Sequence, residues 1–170
     1  ACVLATDIED ADFSWAPDDS CLQTLACDVT QEDANEMAVE AARRHFGRLD
    51  GAVLNAGMAV PVDLGGESLE VFDRTMDVNV RGVVLGVRAA SRTLAPGSAL
   101  SVTASISGIR GDPGMWTYNA SKGAVLNLVR SLSIDLARLD IRINAVCPGP
   151  IDTPMTADFD DTGRESLRRS

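Results

Sequence analysis

Apolar positions along this chain follow two alternating rhythms. Short β-rich runs cover residues 1–6, 22–27, 51–54, 99–104 and 141–146. Between them, apolar residues recur every three or four positions, as on one face of a helix. One such stripe is Ala34, Met37, Ala38, Ala41 and His45, and it follows Thr30-Gln31-Glu32-Asp33, a capping-box pattern that starts a helix running through His45. A second is Leu69, Phe72, Met76, Val80, Val83 and Val87, and a third is Val125, Leu128, Val129, Leu132 and Leu136. Strands alternating with helices predict a parallel α/β sheet, and the 170 residues are expected to form a single domain, 1–170.

Composition narrows the function. A hydrophobic content of 45% suits a globular core, while a net charge of −10 opposes a nucleic-acid or anionic-membrane surface. No apolar run approaches the length that spans a bilayer. Cys2, Cys21, Cys27 and Cys147 lack a paired or zinc-binding spacing and are expected to be reduced packing residues of a cytoplasmic protein. His45 is the one histidine, so a metal cluster built on histidine is excluded and a Ser–His–Asp hydrolase is disfavoured. No metal site is expected.

Chemistry concentrates elsewhere. The chain holds one tyrosine and one lysine, and they stand four residues apart, Tyr118-Asn119-Ala120-Ser121-Lys122. On a helix that spacing puts both on one face. A cation beside a phenol favours the phenolate, and lowering a tyrosine pKa by about three units takes about 4 kcal/mol. The pair reads as an acid/base tuned to move a proton at an alcohol oxygen. A β-rich run ending in Ser105-Ile106-Ser107-Gly108 precedes it, so a hydroxyl at a strand end and a phenol at a helix start can converge on one small substrate. Asn79 interrupts the apolar face between Met76 and Val83, and a buried amide there needs hydrogen-bond partners.

Ser105, twelve intervening residues and Tyr118-x-x-x-Lys122 resemble the catalytic core of the short-chain dehydrogenase/reductase family, and the likeness covers nearly the whole chain. The resemblance implies a doubly wound, Rossmann-like parallel sheet and hydride transfer between a nicotinamide cofactor and a secondary alcohol or ketone. It assigns Tyr118 as acid/base, Ser105 to the substrate oxygen, Lys122 to the Tyr118 pKa and the nicotinamide ribose, and Asn79 to a water-linked proton relay. Cofactor contacts are implied for Asp7-Ile8, Asp28-Val29, Asn55-Ala56-Gly57, Tyr118, Lys122, Pro148-Gly149, Ile151 and Thr153. Leu54 stands where the family usually carries a second asparagine. Asp7, at a strand tip, suits ribose hydroxyls and repels a 2′-phosphate, so NAD is expected over NADP. Met58, Ile106, Ser107, Met115, Trp116 and the segment after Thr153 are expected around the substrate. The family implies a homodimer or homotetramer. Two alternatives are an inactive scaffold of the same fold and an NADP-dependent 3-ketoacyl reductase.

One expected feature is missing. The phosphate-binding glycine loop belongs about 20 residues before the ribose-binding acid, yet Asp7 has six residues before it and the first glycine is Gly47. The sequence therefore reads as an internal fragment, incomplete by its first strand–helix unit and its C-terminal strand. In the strand order of this fold the absent strand is central, so two inner sheet edges are expected to lack a partner.

Overall fold

Five parallel strands and their helices follow one another in the predicted order. The structure, a computed structural model, describes residues 1–17, 19–65, 69–151, 153 and 155. Strands β1 (Val3–Asp7), β2 (Leu22–Ala26), β3 (Gly51–Leu54), β4 (Ala99–Thr103) and β5 (Arg142–Val146) lie within two residues of the apolar runs. Helix α1 is Glu32–Phe46, α2 is Leu69–Met76, α3 is Gly82–Ser91 and α4 is Trp116–Ala137. A π-helical turn, Asp77–Arg81, joins α2 to α3.

The strands form two sheets. β1 pairs with β2, and β3-β4-β5 form a second sheet, every pairing parallel. No ladder joins β1 to β3, which matches the expected unpaired inner edges. Val53 on β3 is 72% exposed. β4 is the middle strand of its sheet, and its Leu100 and Val102 are buried. They meet Val83 and Val87 of α3, Val125 and Val129 of α4, and Ile143 of β5 in one core. α1 packs on α3 and β1, with Glu32 and Glu36 paired to Arg88 and Arg92 across the helix contact. These pairs are half exposed and hold register more than they add stability.

Several local expectations change. The first helix begins at Glu32 with Gln31 at its N-cap and no side-chain cap; Thr30 instead donates its hydroxyl to Asp28 Oδ1 at 2.8 Å. The Asp28 carboxylate competes successfully for the hydroxyl because it accepts the Thr30 N–H as well, at 3.0 Å. Met37, expected in the core stripe, is 62% exposed, and the face of α1 that packs is centred on Asn35, Ala41 and Ala42. Cys2 and Cys21 are disulfide-bonded, correcting the expectation of four reduced cysteines. The register Val3↔Leu22 sets the two side by side, with Cα atoms 4.2 Å apart. Cys27 and Cys147 are free. The argument for a reducing compartment therefore lapses. Among the described residues no helix is long and apolar enough to cross a membrane.

Candidate active site

Four strands deliver their C-terminal ends to one place. Asp7 ends β1, Asn55 follows β3, Thr103 to Ser105 end and follow β4, and Pro148 follows β5. All of them line a cavity of about 880 Å³, together with Gly57, Tyr118, Lys122, Gly149, Ile151 and Thr153. The carboxyl edge of a parallel sheet is where this architecture leaves a crevice. Two backbone bonds close the cavity's floor: Ala104 N–H donates to the Val146 carbonyl at 2.8 Å and Ile106 N–H to that of Pro148 at 3.1 Å. They fix the serine loop against the Pro-Gly turn.

Ser105 caps the short 3₁₀ turn Ile106–Gly108, its hydroxyl accepting the Ser107 N–H at 3.1 Å. Gly108 rests directly on α4. A Cβ there would stand 2.7 Å from the backbone carbonyl carbon and oxygen of Lys122, closer than real side chains come. Glycine at 108 thus lets the serine loop lie against the turn of α4 that carries the tyrosine and lysine.

Tyr118 and Lys122 share a face of α4, with Nζ 5.7 Å from the ring centroid. Lys122 is 4% exposed and donates to the Thr103 carbonyl at 2.7 Å. Burial pushes the ammonium down to about 8. The phenol does not shift downward as the sequence suggested. Burial pushes its pKa up, a hydrogen bond with Ser105 opposes this, and the Asp112 carboxylate adds to the rise. Desolvation of the ring is the largest of these effects.

Asn79 sits in the π-helical turn, fully buried. Its Nδ2 donates to the Met58 carbonyl and to Ser121 Oγ, both at 2.9 Å, and its Oδ1 accepts the Met58 N–H at 2.8 Å. Ser121 passes the chain on, donating to the Tyr118 carbonyl at 2.7 Å. A Cβ on Gly57 would stand 3.4 Å from Asn79 Oδ1 and 3.5 Å from Lys122 Nζ, so the loop after β3, the π turn and the lysine meet at one point.

The expected residues divide accordingly. Asp7, Asn55, Gly57, Ser105, Tyr118, Lys122, Pro148, Gly149, Ile151 and Thr153 share the cavity wall, whereas Ile8, Asp28, Val29, Ala56 and Asn79 do not line it. Val29 packs instead near Gly82. Of the expected substrate neighbours, Ile106, Ser107 and Met115 line the cavity. Trp116 and Met58 do not: the indole stacks on Phe72 at 5.9 Å, and the Met58 backbone is held by Asn79. Met155 represents the segment after Thr153, and the rest of that segment lies outside the described residues. Sequence reasoning missed Ser121, Arg110 and Asp112. The first was legible only as part of Tyr-x-x-x-Lys, the others as an unremarked charged pair in a loop.

The chain is similar to known proteins in sequence and in fold. A family model described as enoyl-(acyl carrier protein) reductase matches residues 1–169. The chain is 42% identical to 2-(R)-hydroxypropyl-CoM dehydrogenase of Xanthobacter autotrophicus over 78% of its own length and 55% of that protein's. It is 42% identical to a cyclopentanol dehydrogenase of Comamonas sp., over 78% and 54%. A dehydrogenase/reductase from Sinorhizobium meliloti superposes with a TM-score of 0.90 at 28% identity, covering 99% of this chain and 69% of that one. A short chain dehydrogenase from Burkholderia cenocepacia in complex with NADP gives 0.89 at 30% identity, covering 99% and 71%. The chain belongs to the short-chain dehydrogenase/reductase family. It spans about half the length of the curated relatives it matches.

Proposed function

We propose that the protein containing this chain is an NAD-dependent oxidoreductase that interconverts a secondary alcohol and a ketone. The observation that carries the reading is the convergence of Ser105, Tyr118, Lys122 and Asp7 on one cavity. A nicotinamide cofactor fits the side chains present: Asp7 offers a carboxylate for ribose hydroxyls, and Gly57 leaves backbone open beside Lys122 Nζ. When bound, that cofactor supplies or accepts the hydride.

The chain's own residues handle the oxygen and its proton. Tyr118, with its pKa pushed up, is protonated near neutrality and is poised to donate to a carbonyl oxygen. In the reverse direction the acceptor is its phenolate, which takes the hydroxyl proton while the hydride passes to the bound nicotinamide, leaving a ketone. Ser105, on the same cavity wall as the phenol, holds the same oxygen and stabilises charge as it develops. Lys122, anchored on the Thr103 carbonyl, orients the ribose and keeps a positive charge beside the phenol. Asn79 and Ser121 position the turn that carries the tyrosine. Asp7 selects NAD, because a 2′-phosphate beside it is a like-charge contact. Assembly as a homodimer or homotetramer belongs to the same reading by family likeness.

Steady-state assays of the full-length protein with cyclic and acyclic secondary alcohols, NAD against NADP, test this. Turnover with NAD preferred is expected. A preference for NADP, the cofactor in the Burkholderia neighbour, would overturn the part given to Asp7, and no turnover with either would overturn the reaction.

A further inference from the structure

The loop between Ser105 and Tyr118 places a charged pair in the cavity wall. Arg110 and Asp112 both line it, Arg110 Nη2 standing 3.4 Å from Asp112 Oδ1. Ile106, Ser107, Gly111, Pro113 and Met115 of the same segment also line it. Charges taken out of water are costly unless well paired. This pair is not well paired. The 3.4 Å separation is longer than a good N–H···O bond. Arg110 Nε and Nη2 and Asp112 Oδ2 are shut away from solvent with no hydrogen-bond partner among the described residues. Nη1 is the guanidinium nitrogen that is not shut away, and the side chain is 25% exposed.

The backbone holds the pair in place. Arg110 N–H donates to the Ile106 carbonyl at 3.1 Å, while the Asp112 carbonyl accepts Met115 N–H at 3.2 Å and Asn119 Nδ2 at 3.3 Å. The loop is thereby tied at one end to the serine turn and at the other to the start of α4. A guanidinium so fixed is a directional donor. The partner it selects follows from charge. Asp112 already neutralises Arg110, and a substrate carboxylate or sulfonate would meet Asp112 as a like charge on a chain of net charge −10. A neutral oxygen meets no such opposition.

We propose that Arg110, held by Asp112, is a second recognition point that accepts an uncharged oxygen of the substrate beyond the reacting carbon. The substrate class is then a secondary alcohol or ketone bearing another neutral oxygen function, such as a diol, hydroxyketone or dione. This rests on the reaction proposed above and adds specificity to it.

The test uses the full-length enzyme, kcat and KM being measured for cyclohexanol, the cyclohexane-1,2-, 1,3- and 1,4-diols, and 4-hydroxycyclohexanecarboxylate. At least one diol is expected to exceed cyclohexanol by about tenfold or more in kcat/KM, chiefly through KM, and the carboxylate to fall below both. In Arg110→Met the diol should lose about tenfold more than cyclohexanol does. Arg110→Gln, which keeps an uncharged N–H donor, should retain part of the preference and serves as the second variant if the first fails to fold. Wild-type indifference between diol and cyclohexanol overturns the proposal, as does an equal loss on both in the variants or failure of both to fold. A preference for the carboxylate that Arg110→Met removes would assign Arg110 to an anion and overturn the choice of a neutral oxygen. Absence of turnover of every alcohol with either cofactor would instead overturn the reaction itself, and this inference with it.

Discussion

Asn79 Nδ2 donates to Ser121 Oγ across 2.9 Å, joining two positions 42 residues apart in a place water does not reach. Through this bond the π turn before α3 is fastened to the turn of α4 that carries Tyr118 and Lys122. Asn79 also grips both backbone groups of Met58. The loop after β3 and the turn that carries Tyr118 are thus held by one amide. Ser121→Ala leaves a buried N–H without its acceptor, which costs about 1–3 kcal/mol. Urea unfolding of the full-length enzyme should show a loss in that range, with kcat falling more than cofactor affinity. An unchanged midpoint and kcat would mean the link carries nothing.

Lys122 is held at a cost in stability. Its pKa in the fold is about 8 against an ordinary 10.5, so below pH 8 both folded and unfolded chains carry the proton and the whole penalty is present. Between about 8 and 10.5 the unfolded chain binds more protons than the folded one, so this group's contribution to stability rises with pH. The full penalty is about 3 kcal/mol, of which the bond to the Thr103 carbonyl returns about 1. Lys122→Met should therefore be more stable than wild type by about 1–2 kcal/mol at pH 7 while losing activity. The advantage should shrink toward pH 10. A less stable variant at pH 7 would show that the burial penalty is overstated.

Gly108 sets how closely the serine loop lies on α4. A methyl group there meets backbone, not a side chain that can turn aside. Gly108→Ala should destabilise by about 1–3 kcal/mol and lower kcat, because the serine is pushed away from the phenol. A variant with wild-type kcat would mean the loop relocates without effect on the site.

Asp7 at the tip of β1 lines the same cavity as Tyr118. Asp7→Ala should weaken NAD binding and relax discrimination against NADP, by about 1–3 kcal/mol between the two. Titration of both cofactors by fluorescence measures this. Equal affinities in the wild type would remove Asp7 from cofactor choice.

Much of this was legible in the chain. Short apolar runs located the strands and period-3.6 stripes the helices, because parallel strands buried by helices on them must be apolar, as Leu100 and Val102 are. Tyr118 and Lys122 could be placed on one face because helical spacing is local. What depends on distant packing was not legible. Asn79 in the π turn bonds to Met58 and Ser121, residues distant in sequence, and no propensity announces that turn. The upward push on the Tyr118 pKa follows from how deeply the fold buries the ring, which spacing does not encode. Trp116 was misplaced for a similar reason: Phe72, far away in sequence, offered it a stacking face. The pairing of Cys2 with Cys21 depends on the register of β1 on β2, which the cysteine spacing alone did not reveal.

The central claim is that Tyr118 moves the proton at the substrate oxygen. Single-turnover and steady-state rates of Tyr118→Phe in the full-length enzyme test it most directly, since the change removes the hydroxyl and keeps the ring. Turnover should fall by about 10² or more while the cofactor Kd stays close to wild type. Turnover within a few-fold of wild type would contradict the account.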